Sequence, residues 1–152
     1  MRKQKKPLFL LVSLTILIAI AGGGCNSTAG ENQTTPTTNT SAQAIHDISA
    51  AEAYALIRDN KDNPDFIIID VRTPDEYAAG HLENSKLIDY DNKSFSTEIS
   101  KLDRNKKYLI YCRTGNRSGL ARDIMKGMGF LSLYNMEGGI TAWQAAGYGV
   151  VK

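Results

Sequence analysis

Seven consecutive residues, Cys112-Arg113-Thr114-Gly115-Asn116-Arg117-Ser118, hold the side chains best suited to chemistry. A free thiol ionises near pH 8.5, and helix N-termini or neighbouring cations lower that value. Both influences are expected here. An amphipathic stretch from Ser118 to Met128 reads as a helix, and its first N–H groups lack intrahelical partners while its dipole adds partial positive charge. Arg113 and Arg117 add two charges that do not titrate away. Gly115 permits a positive φ, which turns successive N–H groups inward to form an anion-binding nest. Thr114, Asn116 and Ser118 place short polar side chains at its rim. A lone cysteine after an apolar strand also reads as a small buried hydrophobe. The glycine, the two arginines and the helix start favour a reactive thiolate that receives an anion.

The flanking pattern supplies the elements that must hold this loop. Tyr108 to Tyr111 is a buried strand entering it, and Phe66 to Ile69, continuously apolar and β-branched, is a strand covered on both faces. Ile45 to Ile48, Lys86 to Ile88 and Leu131 to Met136 are further strand candidates. Ser49 with Glu52 forms a capping box for a helix to about Asp59. Thr73-Pro74-Asp75-Glu76 starts a short helix that Gly80 stops. Ser94 to Leu102 and Ile140 to Ala146 complete the helices. The Ser118 helix carries Leu120, Ala121, Ile124, Met125 and Met128, which read as core, as does Trp143. Glu137-Gly138-Gly139 reads as a tight turn. Strands alternating with helices predict an α/β fold with a parallel sheet of about five strands and helices on both faces. Ligands in such folds bind beyond the carboxyl ends of the strands, where Cys112 lies.

The chain has 152 residues, room for one compact domain. Its start differs from the rest. Arg2, Lys3, Lys5 and Lys6 precede an apolar run, Leu8 to Ala21, in the pattern of an export signal. As a helix that run spans about 21 Å, short of the roughly 30 Å hydrocarbon core. Gly22-Gly23-Gly24-Cys25 follows and resembles the cleavage box of prokaryotic lipoproteins, with Gly22 where that family usually has Leu; Cys25 would then carry the lipid. An uncleaved membrane anchor and simple secretion are the alternatives, and all three place the domain outside the cytoplasm. Residues 25–43, rich in Thr, Asn, Ser and Gln, have too little apolar surface to offset ordering and read as a tether. Residues 44–152 form the domain. Loss of the four basic residues would take the net charge from +2 to −2, and no basic patch argues for nucleic acid. Two cysteines and two histidines, His46 and His81, show no metal-ligand spacing.

Three ordered motifs resemble the rhodanese (thiosulfate sulfurtransferase) family over about residues 44–152. They are the Cys112 to Ser118 loop, the stretch Asp70 to Leu82, and the stretch Asn135 to Trp143. The resemblance implies a three-layer rhodanese-like domain with no cofactor. It also implies a reaction in which the Cys112 thiolate takes the outer sulfur of thiosulfate or a similar small anion. The resulting persulfide, held by N–H groups from Arg113 to Ser118, passes its sulfur to cyanide or a thiol. Within that reading Arg113 pairs with the donor's sulfonate, and Arg117 holds the loop and lowers the thiol pKa. Asp70 and Arg72 brace the pocket, and His81 ties down a turn. Cysteine phosphatases and arsenate reductases share the thiolate-in-a-cradle design, but the phosphatases place five residues between nucleophile and arginine. Here there are four, Arg113 to Asn116. A sulfur-carrier or binding module of the same fold is the non-enzymatic alternative.

Overall fold

A computed structural model describes residues 42–152. The readings placed on residues 1–41, namely the signal, Cys25 and most of the tether, lie outside the described residues.

Five strands and five helices alternate along the described residues. They are β1 (Ala44–Ile48), α1 (Ala50–Asp59), β2 (Phe66–Asp70), α2 (Pro74–Ala78), β3 (Lys86–Leu87), α3 (Phe95–Ser100), β4 (Lys107–Tyr111), α4 (Asn116–Gly127), β5 (Ser132–Met136) and α5 (Gly139–Ala145). The sheet runs β1-β5-β4-β2-β3, and every pairing is parallel. This is the α/β architecture expected, with β4 at the centre and Cys112 one residue past its end.

Alternation along β4 divides the molecule. Tyr108, Ile110 and Cys112 face a core shared with Phe95 and Ile99 of α3 and Ala121 and Met125 of α4. Leu109 and Tyr111 face a second core with Ala53 of α1 and Ile140 and Trp143 of α5. Both faces of the central strand are therefore dry, which explains its unbroken apolar run. The expected capping box of Ser49 with Glu52 forms, and Thr73 with Glu76 makes a second at the start of α2.

Three local readings change. Helix α4 begins at Asn116, because Gly115 takes the left-handed conformation (φ 96°) and its carbonyl already accepts the Gly119 N–H at 2.9 Å. Leu120 is not core: it is 54% exposed, on the side of α4 away from the sheet. Helix α3 is shorter than expected, ending at Ser100.

The turn before α5 fixes the Cys112 loop from behind. The Ile140 N–H donates to the Cys112 carbonyl (2.9 Å) and the Thr141 N–H to the Arg113 carbonyl (3.1 Å). The C=O and N–H of one trans peptide point in opposite directions. Drawing these two carbonyls toward α5 therefore turns the Arg113 and Thr114 N–H groups the other way, into the loop. The close approach requires Gly139, at φ 54°; a Cβ there would overlap the Cys112 carbonyl oxygen and come within 2.6 Å of the Arg113 carbonyl carbon. Gly139→Ala is expected to lose at least about 1–2 kcal/mol from the left-handed backbone alone. Urea unfolding measures this, and an unchanged midpoint would contradict the packing described.

Candidate active site

The sulfur of Cys112 sits at the centre of the loop. The Gly115 N–H donates to Sγ at 3.2 Å. The Ser118 hydroxyl lies 3.6 Å from Sγ and 3.1 Å from the Gly115 carbonyl, so its one proton serves either acceptor and turns to the sulfur when that is ionised. Burial by itself would push the thiol pKa up. The Ser118 hydroxyl and then the N–H groups of Ser118, Thr114 and Gly115 outweigh it, leaving Cys112 below its ordinary value.

Two expectations are corrected here. Ser118 is not at the rim but buried beside the sulfur. The hydrogen bonds, rather than the arginines, chiefly lower the thiol pKa. The Glu76 carboxylate chiefly raises the pKa of Arg117, and attraction to the Cys112 thiolate adds a smaller part. Its charge, however, is largely engaged elsewhere. Nη2 of Arg117 contacts both carboxylate oxygens of Glu76 at 2.8 Å, and Nη1 contacts Asp91 at 3.3 Å. Arg113 is exposed and makes no ion pair among the described residues. Thr114 and Asn116 are exposed on the outer side of the loop, where they border a cleft of about 450 Å³ with Asp47, Asn135 and Glu137.

The thiol is less open than its position in a loop implies: Cys112 is a free cysteine and only 1% exposed. The cause is the strand alternation that aims it into the α3–α4 core. A structural cysteine in such a place would have a raised pKa, whereas this one is ringed by donors.

Asp70 and Arg72 are not the surface pair that isolated residues would make. They are 0% and 5% exposed. The Arg72 guanidinium donates from Nε to Asp70 Oδ1 at 3.0 Å and from Nη2 to Oδ2 at 2.6 Å, and it donates to the Gly80 carbonyl at 2.7 Å. It also lies over the Tyr111 ring, 5.7 Å from its centre. Tyr111 in turn accepts the Leu82 N–H at 3.1 Å and bonds Ser85 Oγ at 3.1 Å. Burial first, then the Asp70 charge, holds its hydroxyl protonated. This network fixes the residue immediately before Cys112. His81 stacks on Tyr77 and contacts its carbonyl, a turn-fixing position.

Glu76 and Asp91 are site residues that sequence reasoning missed. Glu76 was legible as a helix cap, but nothing local connects it with an arginine 41 positions away. Its carboxyl pKa is lowered to about 2, first by Arg117 and, against burial, by the Thr73 N–H. The stability this lends is present at neutral pH and is lost only as pH falls from the ordinary 4.5 toward about 2.

The chain belongs to the rhodanese-like domain family, which it matches over residues 49–146. It is 32% identical over 103 residues to the thiosulfate sulfurtransferase GlpE of Pseudoalteromonas translucida, covering 68% of this chain and 92% of that one. The crystal structure of a rhodanese-related protein from Thermoplasma volcanium is similar, with a TM-score of 0.60 and 33% identity over 70% of this chain and 97% of that one. A tRNA uridine(34) hydroxylase from Citrobacter koseri is 36% identical over 97 residues, but these are only 27% of its length. The fold thus serves more than one activity among relatives, and the assignment must come from the loop.

Two substitutions test the geometry. Ser118→Ala is expected to raise the thiol pKa by about one unit, moving the pH midpoint of iodoacetamide alkylation upward; an unmoved midpoint would remove the hydroxyl from the account. Arg72→Met leaves Asp70 buried and unpaired, a loss of about 3–5 kcal/mol that urea unfolding would register.

Proposed function

We propose that this protein is a sulfurtransferase that moves a sulfane sulfur from thiosulfate or a similar small anionic donor to cyanide or a thiol through a Cys112 persulfide. The supporting observation is the cradle itself: a thiol of lowered pKa with amide and hydroxyl donors on its sulfur, in a loop with four residues between Cys112 and Arg117.

In the first half-reaction the thiolate attacks the outer sulfur of thiosulfate. A bond forms between Sγ and that sulfur, the bond to the sulfonate sulfur breaks, and sulfite leaves with its electron pair. Three negative charges enter and three leave, one on the persulfide and two on sulfite. The inward N–H groups that hold Sγ in the resting site are in place to receive the persulfide charge. Arg113, exposed and without an ion pair among the described residues, meets the sulfonate oxygens. In the second half-reaction cyanide or a thiolate takes the terminal sulfur and restores the Cys112 thiolate, giving ping-pong kinetics. With Cys112 1% exposed, the electrophile must present a narrow terminal atom, which suits a sulfane sulfur better than a branched phosphate ester. Asp70, Arg72 and Tyr111 brace the loop without touching substrate. No step calls for a metal or cofactor.

The proposal includes export. The basic and apolar pattern of residues 1–24 and the thiol at Cys25 support a lipid-anchored domain outside the cytoplasm. Among the described residues no helix is long and apolar enough to cross a membrane.

Incubation with thiosulfate is expected to add one sulfur atom to Cys112, seen by intact-mass measurement, and cyanide is expected to release it as thiocyanate. Cys112→Ser should abolish both. A wild-type protein that takes up no sulfur would refute the assignment.

A further inference from the structure

The two arginines of the loop differ in a way their spacing does not foretell. Arg113 is exposed and has no carboxylate partner among the described residues. Arg117 has two, from separate segments: Glu76 in the first turn of α2 and Asp91 in the connection between β3 and α3. The Glu76 contact is short and partly buried, unlike the loose surface pairs that form and break freely, whereas the Asp91 contact is longer and its carboxylate is 58% exposed. Arg117 is anchored by the first turn of α4, and its side chain is 23% exposed. Glu76 is held on the other side by the Thr73 N–H at 3.1 Å and hydroxyl at 3.2 Å. These capping contacts fix its carboxylate at the start of α2. Asp91 is held less firmly, its own N–H bonded to Asp89 at 2.9 Å.

We propose that Glu76 and Asp91 are positioning residues that act as a brake on the charge of Arg117, so that the cradle offers an incoming anion one uncompensated guanidinium, Arg113, instead of two. The inference rests on reading the loop as an anion cradle and deepens it by naming what sets its charge. A cradle with two free guanidinium groups would favour dianions and hold both sulfite and the persulfide, slowing transfer to the acceptor. With Arg117 neutralised, the amides and the Ser118 hydroxyl are left to stabilise the sulfur anion, as the balance at Cys112 indicates. The brake therefore favours donors of low charge, such as singly charged organic persulfides, relative to dianionic thiosulfate.

Glu76→Gln is the discriminating variant, because glutamine keeps the capping box of α2 while removing the charge on Arg117. The readout is the thiolate's ultraviolet absorbance against pH, taken on the full chain as a difference from Cys112→Ser, which needs neither donor nor access to the sulfur. The brake predicts that the thiol pKa falls by about one unit in Glu76→Gln, and falls by less in the more exposed Asp91→Asn. It also predicts that the ratio of kcat/KM for thiosulfate to that for a singly charged organic persulfide rises about tenfold. A merely structural role gives the opposite sign, since a loosened loop loses its bonds to Sγ and the pKa rises. An unchanged or raised pKa in both variants overturns the proposal. Failure of the wild-type protein to form a persulfide would instead refute the sulfurtransferase reading, while the titration would still decide the brake.

Discussion

A sulfur anion taken out of water must be compensated where it lies, and the surroundings of Cys112 are organised by that requirement. The thiol belongs to a dry core by virtue of its strand parity, so burial opposes its ionisation. The opposing contribution comes from short-range hydrogen bonds that only a sharply folded loop can aim at one atom. Gly115 makes the turn, Ser118 brings a hydroxyl beneath it, and the start of α4 contributes its unpartnered amides. Hydrogen bonds of this kind strengthen in a dry site, so burial and reactivity are linked here and do not conflict.

The loop does not hold this shape alone. It is backed by α5, whose first amides take the Cys112 and Arg113 carbonyls and so rotate the intervening peptides. It is fixed below by Tyr111, itself pinned by Arg72, Ser85 and Leu82. It is held at the far end by Arg117 on Glu76 and Asp91. Most of these supports come from the three stretches that resemble the rhodanese family, with Tyr111, Ser85 and Asp91 added from outside them. The stretches have distinct physical tasks: one carries the sulfur, one fixes the approach to it, and one turns its peptides.

Much of the fold was legible because the local signals agreed with one another. Capping boxes at Ser49 and Thr73, unbroken apolar runs in β2 and β4, and glycines at helix ends each specify structure over a few residues. Where the reading missed, a long-range contact decided. Leu120 fits a helical apolar pattern, yet the neighbouring elements leave its side of α4 uncovered. Asp70 and Arg72, two residues apart, look like any exposed pair until β3 and β4 close over them. Ser118 looks like a rim residue until α4 starts two positions earlier and carries it under the sulfur.

The order of elements, the candidate nucleophile and the spacing of the loop could be read along the chain, because these depend on residue types and on periodicities of a few positions. The folded chain decided which charges remain available and how open the sulfur is. Arg113 and Arg117 are chemically identical along the chain. Only the packing of α2 and the β3–α3 connection against α4 gives one of them two carboxylates and leaves the other none among the described residues. Electrostatic interaction depends on distance through space and on the water excluded from it, and neither quantity is written in the spacing of residues.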